Sequence, residues 1–166
     1  MATAHPRFAL RPVVPDDTPL LVEIFRASIL ELAAEDYSEA QQDAWSAAAD
    51  DEAAFGARLA GALSLVVTLN GTPVGFGTLT GGETIDLLYM HPGVAGLGAG
   101  AMLCDALEKL AGARGAKTLT TDASDNARGF FEKRGFVPQR RNTVLRGGEW
   151  LATTTMEKPL AGKASP

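Results

Sequence analysis

Apolar and polar positions alternate along Arg7–Val14 (RFALRPVV), which predicts a short strand; Pro12 and Pro15 place it at a sheet edge. The period then becomes helical. Leu20, Leu21, Ile24, Phe25, Ile29 and Leu32 form one stripe, with Asp16 or Asp17 as the N-cap and Pro19 in the first turn. Ser38 opens a second, short helix running through Gln41 and Gln42 to Trp45, and Asp50 or Asp51 opens a third carrying Phe55 and Leu59. From Leu63 the spacing returns to two. LSLVVTL meets Asn70-Gly71, a strong hairpin signal, TPVGFGTLT comes back, and Gly81-Gly82 reverses the chain again into ETIDLLYM. A glycine-rich loop then leads into a helix from about Gly98 to Ala113, with Met102, Leu103, Leu107 and Leu110 inward and Gly115 at its end. KTLTTDA predicts a further strand and DNARGFFEKR a short helix closed by Gly135. FVPQRRNTVL and EWLATTTMEK predict a last hairpin about Arg146-Gly147-Gly148, with Phe136 and Trp150 as core residues.

These elements describe one mixed α+β domain over 7–160, with loose termini at 1–6 and 161–166. Composition narrows the class. The chain has 166 residues, is 46% hydrophobic and 21% charged, and carries a formal net charge of −5 without a basic run, which disfavours a nucleic-acid partner. The single cysteine, Cys104, excludes an internal disulfide and a cysteine-cluster metal site, and its spacing puts it in the core. No stretch has the length of an apolar membrane span, and the arginines flanking the short N-terminal apolar segment do not fit a secretory signal, so a cytoplasmic location is expected.

A third of the 18 glycines fall between Gly93 and Gly115. Gly96, Gly98 and Gly100 remove side chains where a strand passes into a helix, so consecutive amides and the positive helix end can cradle a phosphate. Glycine inside a first helical turn costs about 1 kcal/mol relative to alanine, which argues that something approaches the backbone there. Gly96-x-Gly98-x-x-Ala101 also fits a dinucleotide fingerprint superficially. His91 to Ala95 separate it from the strand, and the preceding strands are an antiparallel meander, so that reading is set aside.

Met90-His-Pro-Gly-Val-Ala-Gly-Leu-Gly-Ala-Gly-Ala-Met-Leu103 resembles the acetyl-CoA motif of GNAT-superfamily N-acetyltransferases, and Asp125–Phe136 resembles the family's second CoA-contacting helix. Tyr37, Ser38, Gln41 and Trp45 are similar to a segment of one bacterial subgroup. The resemblance implies a mostly antiparallel sheet splayed between the fourth and fifth strands, flanked by helices. It implies a pantetheine arm running along Leu88, Tyr89 and Met90 by main-chain bonds, with an amide of that strand polarising the thioester carbonyl. Gly96, Leu97, Gly98, Ala99, Gly100 and Ala101 would then hold the pyrophosphate, and Asn126 the pantetheine, with Phe130 and Phe131 beside it. The implied activity is transfer of the acetyl group of acetyl-CoA to a small-molecule or peptide amine, with no metal; the alternative is a CoA-binding sensor with little catalysis. Dimerisation is left open. Two departures matter. Ala95 and Leu97 stand where the family has cationic or amide side chains, and Phe131 stands where it often has an acidic tyrosine.

On the acceptor side, an amine must lose its proton, so a carboxylate is sought near the thioester. Asp86 is the acid of the fourth strand, and alternation puts it on one face with Leu88 and Met90. Tyr37 and Tyr89 are the candidate acids replacing Phe131, unless water protonates the thiolate. Tyr37, Gln41 and Trp45 at i, i+4 and i+8 would form an acceptor-facing helix side.

Overall fold

Positive-φ turns set the strand order in the first half of the molecule. Asn70 (φ 50°) and Gly71 (φ 89°) close a two-residue hairpin between β2 (Leu63–Leu69) and β3 (Thr72–Thr80), and Gly81 (φ 60°) and Gly82 (φ 77°) turn β3 into β4 (Thr84–Met90). The computed structural model describes residues 7–160; the termini expected to be loose lie outside them. With β1 (Phe8–Pro12), β5 (Thr118–Ser124), β6 (Val137–Arg146) and β7 (Glu149–Pro159), a seven-stranded sheet forms in the order β1-β2-β3-β4-β5-β7-β6. β1 is at an edge, as its prolines require.

One joint in this sheet is parallel. β4 pairs with β5 only at Thr84↔Thr120 and Ile85↔Thr121, while every other neighbouring pair is antiparallel. Beyond Ile85 the two strands separate, which is the splay that the resemblance implies.

Helices α1 (Thr18–Leu32), α2 (Glu39–Ser46) and α3 (Glu52–Ala60) cover one face, and α4 (Ala99–Ala113) and α5 (Arg128–Lys133) the other. On the first face Leu21, Ile24, Phe25 and Phe55 pack on Val66, Phe76 and Leu87; on the second Cys104, Leu107 and Ala111 pack on Leu79, Ile85, Leu119 and Met156. Burial of each large side chain contributes about 1.5–3 kcal/mol, so the two cores hold the sheet from both sides. Local signals fix the helix starts. Ser38 accepts from the Gln41 amide and Gln41 Oε1 from the Ser38 amide, a capping box, and Asp51 accepts from Ala54. Asp17 is the N-cap residue of α1, as expected, but its side chain makes no capping bond to the helix. It takes a bidentate ion pair from Arg11 and a bond from the Val14 amide, both of which hold its carboxyl below the usual range.

Three core assignments are corrected. Met102 and Leu32 point outward, and Trp150 is 59% exposed: β7 alternates, and its inward residue beside the hairpin is Leu151. Phe136 is buried as expected.

Two buried acids make the fold sensitive to alkali. Burial pushes Cys104 up to about 11 from 9 and Tyr89 up to about 12 from 10. Both are held protonated in the fold while the unfolded chain releases its protons earlier, so stability is complete below pH 9 and declines as pH rises through 9 to 12. A loss of about 2 kcal/mol is expected between pH 8 and pH 10, read from urea midpoints, with Cys104→Ala flattening the lower part of the decline.

Candidate active site

The splay exposes a strip of backbone. His91 N–H donates to the Val74 carbonyl at 2.7 Å, and Tyr89 lies opposite Phe76. Hydrogen-bonded pairs alternate along an antiparallel ladder, so the odd residues serve β3, and the amides and carbonyls of Leu88 and Met90 are directed into the gap beside β5. A cavity of about 250 Å³ opens there, lined from β4 by Thr84–Tyr89, from β5 by Thr121–Ser124, and by Tyr37, Trp45, Arg58, Asn126, Phe131, Arg146 and Thr153 among others.

On the α4 side, His91 Nδ1 accepts from the Gly93 amide and starts a short 3-10 turn over Pro92–Val94. Gly96 (φ 78°) and Gly98 (φ 93°) follow, and Gly98 is the N-cap of α4. The first intrahelical bond runs from Met102 N–H to Gly98 C=O, so the amides of Ala99, Gly100 and Ala101 have no helical acceptor, and a glycine cap offers no side chain to them. A Cβ on Gly96 or Gly98 would meet nothing within 4 Å; one on Gly100 would lie 3.5 Å from Met90 Cγ and from Phe130. Gly98 precedes the helix, so the helix-interior cost expected for it applies to Gly100 alone. Leu97 projects to solvent, 51% exposed, and Ala95 adds no charge, so an anion here is held by amides and the helix dipole.

Asp86 is not where alternation put it. Thr78 lies opposite Leu87 and Leu79 opposite Ile85, so Asp86 is the extra residue of a β-bulge. The inserted residue shifts the alternation: Leu88 and Met90 pack toward α4, while Asp86 turns to the α1–α3 face with Leu87 and Tyr89. There it accepts two bonds of 2.9 Å from Arg58 of α3.

The three-residue helix side is also revised. Tyr37 precedes the Ser38 cap and stands off α2. Its hydroxyl donates to the Ala152 carbonyl at 2.6 Å and accepts from the Asp125 amide at 2.9 Å, and burial raises its pKa. Gln41 closes the capping box and donates to the Trp150 carbonyl, away from the cavity. Trp45 alone of α2 reaches the cavity, edge-on to Tyr37 at 5.4 Å and to Tyr89 at 6.3 Å between ring centroids. Tyr89 stacks on Phe76 and meets Phe25 edge-on, and that burial makes it a very weak acid.

Of the second CoA-like segment, Phe131 is a core residue between Phe130 and Phe136, and Phe130 faces Gly100. Asn126 lines the cavity with its Oδ1 buried and without a partner, as does Thr153 with its Oγ1. Arg58, Asp122, Arg146 and Thr153 were not found from the sequence. Asp122 was within reach: it is a charge in a strand, on the opposite parity to buried Leu119 and Ala123.

An acetyltransferase (GNAT) domain model matches residues 33–160. The chain belongs to the GNAT acetyltransferase family, and is an acetyl-CoA-dependent acetyltransferase. It is 59% identical to a solved GCN5-related N-acetyltransferase from Rhodopseudomonas palustris, with a TM-score of 0.91 over 96% of this chain and 99% of that one. It is 31% identical to the uncharacterized N-acetyltransferase YafP of Escherichia coli K12 over 89% of this chain and 93% of YafP. A peptidyl-lysine N-acetyltransferase, YjaB of Salmonella typhimurium, is 39% identical over 49% of this chain and 54% of YjaB. The GNAT acetyltransferase's donor suits the donor set at this site. Unpartnered amides at the α4 start match a pyrophosphate, and the orphaned Asn126 carbonyl matches an amide N–H of pantetheine.

Proposed function

We propose that this acetyltransferase moves the acetyl group directly to an amine held beside the donor in one ternary complex. The observation that carries the reading is the gap between β4 and β5, with the cavity opening on it and the unpartnered α4 amides on the opposite face of the sheet. Acetyl-CoA, when bound, supplies a thioester whose carbonyl carbon accepts the amine nitrogen and whose C–S bond breaks to release the thiolate.

The chain's own groups have separable tasks. Ala99, Gly100 and Ala101 present amides to the pyrophosphate, Leu88 and Met90 their main-chain edges to the arm, with one amide directed at the thioester carbonyl, and Asn126 Oδ1 accepts from the arm. Asp86, oriented by two bonds from Arg58, takes the proton that the amine loses, directly or through one water. Neither tyrosine hands a proton to the thiolate efficiently. Tyr37 is committed to Ala152, and Tyr89, near 12, lies some 3 units or more above a thiol at about 8.5, so transfer from it runs uphill. Water protonates the leaving sulfur, with Tyr89 as a hydrogen-bond donor at most. Cys104 is fully buried in the α4 core and forms no acyl-enzyme.

The test is calorimetry with acetyl-CoA together with CoA release over a panel of amines. Asn126→Ala is expected to weaken acetyl-CoA binding about five- to tenfold, one hydrogen bond's worth, without changing the melting temperature. Undiminished affinity in that variant removes Asn126 from the site. Release that shows ping-pong kinetics overturns the ternary complex.

A further inference from the structure

The charges that line the cavity do not all pair with one another. Arg58 and Asp86 neutralise each other. Arg146 and Asp122 also line it, and among the described residues neither has an ion-pair partner. Arg146 donates only to the carbonyl of its own neighbour Leu145, at 3.3 Å, and Glu149, opposite it in the register, forms no ion pair with it. Asp122 Oδ1 accepts from Thr155 Oγ1 at 2.7 Å, and Thr155 in turn accepts from Asn142 Nδ2 at 2.7 Å, so the carboxylate is oriented by neutral groups only.

Both charges lie on the acceptor face. Along β6 and β7, Val144 and Leu151 pack on Tyr37, and strand alternation puts Arg146 with Val144, and Thr153 and Thr155 with Leu151. The glycine-rich loop belongs to α4 on the opposite face, so Arg146 does not replace the cation missing at Ala95 and Leu97. The hairpin that carries it is seated: a Cβ on Gly147 would come within 3.2–3.3 Å of Ala44 on α2, and Gln41 Nε2 bonds the Trp150 carbonyl at 2.8 Å. The cavity is thus lined by a guanidinium and a carboxylate, neither of them held in an ion pair among the described residues.

We infer that the acceptor is an amino acid, its carboxylate held by Arg146 and its ammonium drawn in by Asp122. A guanidinium binds a carboxylate through paired N–H donors, and an ammonium suits a carboxylate whose other partner is a hydroxyl. The inference rests on the acetyl-transfer reading and narrows its acceptor. In the reaction the ammonium first gives up one proton to Asp86 or to water, the freed lone pair forms the C–N bond, the C–S bond breaks with its electron pair on sulfur, and the second proton passes from the new nitrogen through water to the thiolate.

The experiment compares kcat/KM for free amino acids, their carboxamides, the amines lacking the carboxylate, and a lysine blocked at both ends. These are measured with the wild-type chain, Arg146→Gln, Arg146→Lys and Asp122→Asn, each checked for acetyl-CoA binding and melting temperature. The free amino acid is expected to exceed its carboxamide by about tenfold or more in the wild type. That ratio should collapse toward one in Arg146→Gln and return in part in Arg146→Lys, whereas a merely structural arginine would lower all substrates alike. Asp122→Asn should raise KM more than it lowers kcat. Equal use of carboxamide and amino acid, or preference for the blocked lysine, overturns the inference while acetyl transfer stands. Failure to bind acetyl-CoA overturns both.

Discussion

Gly98→Val is expected to weaken acetyl-CoA binding by at least about a hundredfold. Gly98 sits at φ 93° as the N-cap of α4, a conformation that costs an L-residue about 1–2 kcal/mol and a β-branched one more. Relief of that strain moves the helix start, and with it the amides of Ala99, Gly100 and Ala101. Hydrogen bonds to charged groups contribute about 1.5–3 kcal/mol each, so misdirecting even two gives the stated loss. Strain alone is separable from the site. Gly115 has φ 90° just beyond the other end of α4, and a Cβ there also meets nothing within 4 Å. Gly115→Val should therefore cost a similar amount of thermal stability and leave affinity unchanged. Gly98→Asn, which tolerates the left-handed region, should fall between the two. Equal affinity in the two valine variants would remove the loop from the binding site.

What could be read in advance was local. The hairpin turns, the Ser38 and Asp51 caps, and the passage from strand to loop to helix at Gly96–Gly100 depend on residues a few positions apart, and each is in its expected place. The splay came from the resemblance and is present at the β4–β5 joint. The two site errors both carry a periodicity too far. Strand alternation carried Asp86 to the wrong face because a single bulged residue resets parity, and nothing in TIDLLYM marks the bulge. Helical spacing enrolled Tyr37 although the Ser38 cap, itself legible in the sequence, already placed it outside the helix. Its hydroxyl instead ties the α1–α2 connection to β7 and to the start of the Asp125 turn.

The cavity's charges were hidden for a different reason. Arg58 meets Asp86 across 28 positions, and Arg146 reaches the acceptor face only because the β6–β7 hairpin closes on α2. Those partners are set by tertiary packing. The consequence is a cavity lined by one ion pair and two charges outside any ion pair, whereas the start of α4 offers backbone amides alone.

Asp86→Asn should separate the base from its surroundings, with kcat/KM falling about 10²- to 10⁴-fold. The asparagine keeps the shape and one bond to Arg58. The pair it weakens is partly exposed, at 30% for Asp86 and 45% for Arg58, where ion pairs contribute at most about 1 kcal/mol, so the unfolding free energy should scarcely change. Arg58→Met is the informative partner. It leaves the carboxylate but removes the two bonds that orient it, so kcat/KM should fall less than in Asp86→Asn. Arg58→Met should therefore keep part of the activity that Asp86→Asn loses. If both variants lose the same activity, the two residues act only as a strut between α3 and the bulge. If Asp86→Asn keeps more than half of the wild-type rate, the proton leaves by another route, and Asp122 becomes the carboxylate to test.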